Sequence, residues 1–213
     1  MNLEEIDQQY SAQIGRMSDS LEAAYDRIRE SFDLTDAERE MAAIEAHGQA
    51  TESLWQATVN QVNGYVERTE DLTDTLFGAS KVTGYDGEIT REDFNQTQLA
   101  VIDLDDAKLA TYAERAARTN NSTLAKVVAG EADARGMDDI AYVALKPWEG
   151  KTAAYAELKS IPSGEERARK IQNVREHGIS LPRLDYLRPT PEAVREHERS
   201  QAAESMMRPR LPG

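Results

Sequence analysis

The sequence predicts an all-α protein: a long antiparallel helical hairpin or bundle, several shorter helices, one small β-hairpin near residues 81–90 and an extended C-terminal arm. Three observations predict this class. Apolar residues recur at helical spacing through the first 77 residues. Capping patterns mark several helix ends. Charged residues make up 30% of the chain, which suits an extended helical protein with much surface.

The first helix is predicted over residues 3–32. Its apolar residues are spaced close to the helical repeat of about 3.6, so they form one continuous face. They are Leu3, Ile6, Tyr10, Ile14, Met17, Leu21, Tyr25, Ile28 and Phe32. A helix of this length with one apolar face needs a partner helix to cover that face.

The second helix is predicted to begin after Thr35, which has capping-box spacing to Glu38, and to run to about Phe77. Steps of three and four predict a coiled-coil-like seam. The seam residues are Met41, Ile44, Gly48, Thr51, Trp55, Thr58, Val62, Tyr65, Thr69, Leu72 and Leu76. Because the link between the two helices is short, we expect them to be antiparallel. An ordinary bundle helix with the same register is the alternative.

The rest of the chain is predicted as shorter elements. Asp86-Gly87 predicts a two-residue hairpin turn, and Thr90 with Asp93 starts a third helix over residues 91–118. Further helices are expected at 123–136, 138–145, 150–160 and 164–178. Residues 179–189 should be extended, because proline disfavours helix in the residue before it. Thr190 and Pro191 begin a last helix to about Met207, and Asn120 suits a left-handed helix end.

Residues 82–94 resemble half of an EF-hand calcium loop, but the ligand set is incomplete. Aligned on Asp86-Gly87, the first and third ligand positions are Val82 and Gly84, which offer no side-chain oxygen. The last position is Asp93, which is shorter than the usual bidentate glutamate. The pattern therefore favours a hairpin followed by a helix cap, and no metal is predicted.

A nucleotide-binding loop is disfavoured for a similar reason. The stretch ending in Gly150-Lys151 needs a glycine five residues earlier, where the chain has Leu145. Pro147 lies in the expected phosphate cradle and has no N–H to donate. The acidic residues around Asp103 favour a solvated surface over a magnesium site. No histidine pair has metal-ligand spacing and no serine lies in a nucleophile elbow, so we predict no catalytic residue and no cofactor.

Charge is distributed unevenly along the chain. Residues 1–80 carry 5 basic and 17 acidic side chains, whereas residues 146–213 carry 13 basic and 10 acidic ones, within a net charge of −14. We do not expect such an acidic protein to bind nucleic acid, because it repels phosphates. The chain lacks an apolar run long enough for a bilayer, a signal-peptide pattern and cysteine. We therefore expect no membrane partner and a cytoplasmic or particle-assembled protein.

Three segments are predicted: residues 1–80 as an acidic helical rod, 81–178 as a short hairpin and helical region, and 179–213 as an arm with a terminal helix and basic tail. Protein contacts are expected through aromatic, leucine and arginine side chains, which contribute most interface energy. On the rod they are Trp55, Tyr65, Leu72 and Leu76, and on the arm Leu184, Tyr186, Leu187, Arg208 and Arg210.

These features predict a non-enzymatic structural protein that forms a homo-oligomer or joins a multi-protein assembly. By analogy of architecture alone, a bacteriophage virion or head–tail connector component is the expected setting. An acidic helical chaperone or scaffolding factor that binds one partner transiently is the first alternative. A metal- or nucleotide-dependent enzyme using Asp103 and Lys151 is the second.

Overall fold

The computed structural model describes residues 1–78 and 91–207, without the side chains of residues 91 and 202–207. These residues are mostly helical and contain no strand, so the all-α prediction is confirmed for them. The helices are α1 (Leu3–Glu30), α2 (Asp36–Phe77), α3 (Arg91–Ile102), α4 (Asp106–Thr119), α5 (Ser122–Ala134), α6 (Asp138–Leu145), α7 (Lys151–Ser160), α8 (Gly164–His177), α9 (Leu184–Leu187) and α10 (Pro191–Met207). The predicted β-hairpin near 81–90 and the aligned calcium-loop positions before residue 91 lie outside the described residues.

Contacts group the chain into two compact units. Unit 1 comprises Met1–Ile6 and Val62–Gly164, and unit 2 comprises Asp7–Gln61 and Glu165–Gly213. Each unit therefore combines parts of the chain that are distant in sequence. The three segments expected from the sequence stay a prediction.

Helix ends occur where capping patterns predicted them. Thr35 and Glu38 form a reciprocal pair at the start of α2, with the Thr35 N–H donating to Glu38 Oε2 at 2.8 Å. Thr190 Oγ1 accepts from the Ala193 N–H at 3.2 Å and caps α10. Asn120 ends α4 in the left-handed conformation, with φ 52°. Caps are visible in sequence because they use residues only a few positions apart.

The prediction of one continuous third helix is wrong, because the structure has two helices there, α3 and α4. Asp105 accepts a hydrogen bond from the Lys108 N–H at 2.8 Å and so caps a new helix, α4, after α3 has ended at Ile102. Asp103 therefore lies between the helices and does not share a helical face with Asp106. The apolar spacing continues across this break, which is why periodicity alone missed it.

The first half of α2 also differs from the predicted seam. Met41 and Ile44 are 70% and 53% exposed, whereas a row of small residues seven apart is buried. That row is Ala43, Ala50, Ala57 and Gly64. Small side chains let another helix come close; a Cβ added to Gly64 would lie 3.3 Å from Ile6. The second half follows the prediction, since Val62, Tyr65, Leu72 and Leu76 are buried.

Unit 1 has its largest core around α5, which packs against α3, α4 and α6. Ala and Val residues of α5 are buried on most sides of the helix, as expected for a central element. The core residues are Leu76, Val101, Leu109, Ala113, Val127, Val128, Ala129, Ala132, Ala141, Ala144, Leu145 and Tyr155. A smaller cluster joins Ile6, Tyr65, Leu72 and Ile161.

An ion pair in unit 1 gives an expected acid sensitivity. The Arg68 guanidinium donates to both oxygens of Glu157, at 2.8 and 2.7 Å, and holds the pKa of that carboxyl below its ordinary value of 4.5. A lowered folded pKa stabilises the fold above the unfolded value, and this contribution is lost as pH falls through the folded pKa. We expect Glu157→Gln to reduce the loss of unfolding free energy between about pH 7 and about pH 3.5, measured by urea denaturation. If the native chain and Glu157→Gln lose the same unfolding free energy between these two pH values, the ion pair does not have this role.

Candidate interaction site of the C-terminal arm

The described part of the arm, residues 179–207, is anchored within unit 2 by Leu187. This side chain is 2% exposed and packs with Tyr25, Ile28 and Ala43. The short helix α9 places it there, because the Tyr186 N–H donates to Arg183 O at 2.9 Å and closes one turn. Part of the stretch predicted as extended is therefore helical. We call the α1 and α2 residues that contact Tyr186, Leu187 and Arg188 the arm seat: Glu22, Tyr25, Ile28, Arg29, Asp36, Arg39 and Ala43.

Arg39 lies at the centre of the arm seat and is 3% exposed. Its guanidinium donates to the carbonyl oxygens of Ile28 and Ser31, and to Leu187 O at 3.3 Å. The last carbonyls of a helix have no partner within the helix and carry partial negative charge, so a buried cation is favourable there. Arg39 thus caps α1 and binds the backbone of the arm with the same planar group.

Tyr186 and Arg188 fix the position of the arm at the edge of the seat. Tyr186 donates its hydroxyl to Glu22 Oε1 at 2.8 Å, and its ring meets Tyr25 edge-on with centroids 6.3 Å apart. The Arg29 guanidinium lies 4.6 Å from the Tyr186 ring centroid. Arg188 pairs with Asp36 and lowers the pKa of that carboxyl. Because both side chains of this pair are about half exposed, it contributes to register more than to stability.

The arm makes further contacts before and after α9. His47 Nε2 donates to Ile179 O, and the His197 ring stacks on Phe32 with centroids 4.1 Å apart. At Gly178 the chain turns with φ 41°, and a Cβ there would lie 3.7 Å from Thr51 Cγ2. Two buried hydroxyls in unit 2 lack a hydrogen-bond partner, Tyr25 OH and Thr51 Oγ1. Burial is the main cause that raises the pKa of Tyr25.

The residues predicted for partner contact fall into different environments. Tyr65, Leu72 and Leu76 are buried in unit 1, and Trp55 is partly buried in unit 2. On the arm, Leu187 is buried, Leu184 is partly buried and Tyr186 is 42% exposed. Arg208 and Arg210 lie outside the described residues. Contact of any of them with a partner stays a prediction, but the buried residues already have partners within their unit.

Sequence reasoning missed the residues that receive the arm, above all Arg39. A signal for it exists, because Arg39 lies four residues before Ala43, on the buried row of α2. A charged residue on such a row predicts a buried polar contact. Glu22, Arg29 and Asp36 gave no signal, since they resemble ordinary charged helix surface.

Lys151, from the enzyme alternative, lies in the first turn of α7 and donates to Thr75 O at 3.2 Å. Lys126, only 6% exposed, donates to Gly78 O at 2.8 Å. Both lysines bind carbonyls at the end of α2, whose last turn has no basic residue of its own. Cationic side chains near the last carbonyls of a helix stabilise its C-terminus, so both lysines stabilise the end of α2.

A polar cluster joins α5, α6 and α7 in unit 1. The Tyr155 hydroxyl lies 2.9 Å from Asp133 Oδ1 and 2.8 Å from Asp138 Oδ1, and Lys159 pairs with both carboxylates. Burial, followed by these carboxylates, raises the pKa of Tyr155. The hydrogen bond from Lys159 is the main cause that lowers the pKa of Asp138. A raised pKa keeps the Tyr155 hydroxyl protonated, so this group links the two carboxylates and is a poor proton donor.

Within residues 1–78 and 91–207, no group of three or more potential metal-ligating side chains comes together. No helix in that part of the chain has the length and apolar character needed to cross a membrane. Comparison with protein-family models, curated proteins and solved structures finds no match. The fold and the arm seat thus define the class: an all-α helical-bundle protein with a docked C-terminal arm.

Proposed function

We propose that this chain is a non-enzymatic assembly protein whose C-terminal arm makes contacts between subunits. The observation that carries the proposal is the arm seat, where Arg39, Leu187 and Tyr186 combine a buried apolar anchor with directional polar contacts. A seat that binds a short segment through side chain and backbone together can hold that segment specifically. The setting that we propose, by architecture alone, is a bacteriophage virion or head–tail connector.

We further propose that α1 and α2 form the antiparallel hairpin expected from the sequence. Two contacts in unit 2 support this: Gln61 donates to Asp7 Oδ1 at 2.8 Å, and Arg39 donates to Ile28 O. The beginning of one helix segment therefore meets the end of the other. Such a paired scaffold holds the arm seat rigid, because its residues come from both helices.

Charge asymmetry supports association of subunits. Residues 1–80 are strongly acidic, whereas residues 146–213 carry a small basic excess. Complementary regions on copies of one chain raise the rate of encounter and favour one orientation over others. This attraction weakens with added salt, while the packing of Leu187, which holds the arm on its seat, does not depend on charge.

Leu187→Asp tests the proposed arm contact. A carboxylate cannot be buried among Tyr25, Ile28 and Ala43 without a large cost, so the arm should leave the seat. We expect a defined oligomer for the native chain and a lower molar mass for this variant, measured by light scattering after size exclusion. Circular dichroism should show retained helicity.

Leu99→Asp is the matched control, because Leu99 is 72% exposed in unit 1, and its molar mass should equal that of the native chain. A native chain that is monomeric at every concentration would overturn self-assembly. The acidic residues 1–80 would then be tested for salt-sensitive binding of a different protein, as the chaperone alternative requires. A shift in melting temperature with Ca²⁺, Mg²⁺ or ATP would instead support the enzyme alternative.

A further inference from the structure

We propose that an exposed apolar strip on α2 binds an amphipathic helix of a different protein, one whose apolar seam lies between lysine or arginine side chains. We call this surface the α2 strip and define it as Met41, Ile44 and Gly48. It lies within unit 2 and shares no residue with the arm seat. The inference does not rest on the proposed function, because it needs no contact made by the arm.

The α2 strip is apolar and open. Met41 is 70% exposed, Ile44 is 53% exposed, and Gly48 is exposed as well. Steps of three and four residues place them on one face of α2, whereas the buried row that begins at Ala43 lies on another face. Single exposed apolar side chains are ordinary, but two on consecutive turns with heptad spacing form a ridge along the helix. A second helix can pack lengthwise against such a ridge.

Gly48 leaves room on the strip for a side chain from outside the chain. Glycine in the interior of a helix costs about 1 kcal/mol relative to alanine. Within the described residues, nothing lies within 4 Å of a Cβ added to Gly48, so no neighbour in the chain needs this space. Gly64 differs, because it makes room for Ile6. A side chain of a partner helix fits into a gap of this kind when two helices pack side by side.

Carboxylates along both edges of the α2 strip select the partner. In the helical repeat, Glu40 lies along one edge, and Glu45 and Glu52 lie along the other. All three are exposed, and none of these carboxylates has a hydrogen bond or an ion pair within residues 1–78 and 91–207. The only lysine or arginine in residues 36–60 is Arg39, which is buried and binds backbone carbonyls. Basic side chains on a partner helix would therefore complement the edges, which is how charged edges choose partners in paired helices.

The same carboxylates disfavour a second copy of this chain on the strip. In a parallel pair of α2 helices, Glu40 of one copy would meet Glu45 of the other, and in an antiparallel pair Glu45 would meet Glu52. Like charges at such positions repel each other. The basic helix α8 already packs within its own unit, where Lys170 binds Gln61. A helix of a different protein therefore fits the strip better than any helix of a second copy.

Two designed peptides test the chemistry of the partner. Each forms a helix of about three heptads with leucine at the seam, and they differ only in lysine or glutamate at the flanking positions. The lysine peptide should bind the full chain at least about tenfold more tightly than the glutamate peptide. Fluorescence anisotropy of labelled peptide, at about 150 mM salt, measures both dissociation constants. If neither peptide binds, or if both bind equally, the proposal is overturned.

Met41→Ser/Ile44→Ser tests whether the peptide binds at the strip. The double change removes the apolar ridge without adding charge, so binding of the lysine peptide should weaken about tenfold or more. Leu99→Ser/Ile102→Ser is the matched control, because these residues are 72% and 49% exposed and also lie three apart, on α3, which ends at Ile102. It should bind as the native chain does. Equal weakening in both variants would mean that the peptide binds only through general charge attraction, and this would overturn the strip.

Gly48→Gln separates a blocked strip from a disturbed fold. Glutamine favours helix more than glycine, so the variant should melt at a higher temperature than the native chain. Its side chain fills the space on the strip, so the lysine peptide should bind about fivefold more weakly or worse. A more stable variant that binds the peptide as tightly as the native chain would overturn the contact at Gly48.

Molar mass by light scattering decides between a different protein and a second copy. If Met41→Ser/Ile44→Ser lowers the molar mass of the native chain, a second copy covers the strip and the proposal is overturned. An unchanged molar mass together with weakened peptide binding supports a basic helix of a different protein.

Discussion

Leu76→Ala should lower the free energy of unfolding of unit 1 by about 3 kcal/mol, because it removes a fully buried side chain from a packed core and leaves a cavity. Leu76 is 0% exposed and belongs to the core cluster that includes Val101, Leu109 and Tyr155. Each unit contains one of the two tryptophans, so a Trp55→Phe background leaves Trp148 as the reporter of unit 1. Urea denaturation followed by its fluorescence measures the change.

The same replacement at Leu99 is the control, since this leucine is 72% exposed and should change stability by no more than about 0.5 kcal/mol. The pair also decides between two roles for Leu76, which the sequence suggested as a partner contact. A core residue affects unfolding and leaves the molar mass of the folded protein unchanged. A stable Leu76→Ala variant with reduced molar mass would contradict the core role.

Local signals in the sequence predicted the helices well, because each signal depends on neighbouring residues. The pair Thr35 and Glu38 fixed the start of α2, and Thr190 with Pro191 fixed the start of α10. The bounds predicted for α6, residues 138–145, match Asp138–Leu145 because Gly136 and Pro147 limit it on both sides. Helix caps and helix-breaking residues are properties of the chain itself, whatever it packs against.

Packing could not be predicted as well, because it depends on residues distant in sequence. The seam in the first half of α2 was assigned to Met41 and Ile44, since large apolar residues usually mark the buried face. The buried face consists of alanines instead, because a neighbouring helix can approach closely only where the side chains are small. Asp105 was treated as helix interior for a similar reason: its capping bond to Lys108 competes with a periodic pattern that continues past it.

The sequence drew attention to the arm but not to the surface that receives it. Tyr186 and Leu187 were predicted to contact a partner, which stays a prediction, and within the chain both contact α1. The surface that covers them was not recognised, since Glu22, Arg29 and Asp36 become a site only when α1, α2 and the arm meet. The contacting residues are 152 and 164 positions apart in the sequence, and no short-range sequence pattern reveals contacts over such separations.

Arg39→Met should destabilise unit 2 by about 3 kcal/mol, because the carbonyls of Ile28, Ser31 and Leu187 lose a charged donor in a buried place. Methionine fills much of the same volume, so the effect reports the hydrogen bonds more than a cavity. The loss of unfolding free energy is smaller than the sum for three buried hydrogen bonds, because removing a buried charge is itself favourable. A Trp148→Phe background leaves Trp55 as the reporter of unit 2, and urea denaturation gives the free energy.

Two further replacements separate the possible causes. Arg16→Met removes an exposed arginine from the same unit and should leave stability nearly unchanged. Arg39→Lys keeps the charge but loses the planar fork that meets α1 and the arm together, so its stability should fall between those of the native chain and Arg39→Met. If Arg39→Lys is as stable as the native chain, a positive charge at the end of α1 is sufficient. If Arg39→Lys is as unstable as Arg39→Met, the planar guanidinium that joins α1 to the Leu187 carbonyl is the essential feature, and the arm seat depends on its geometry.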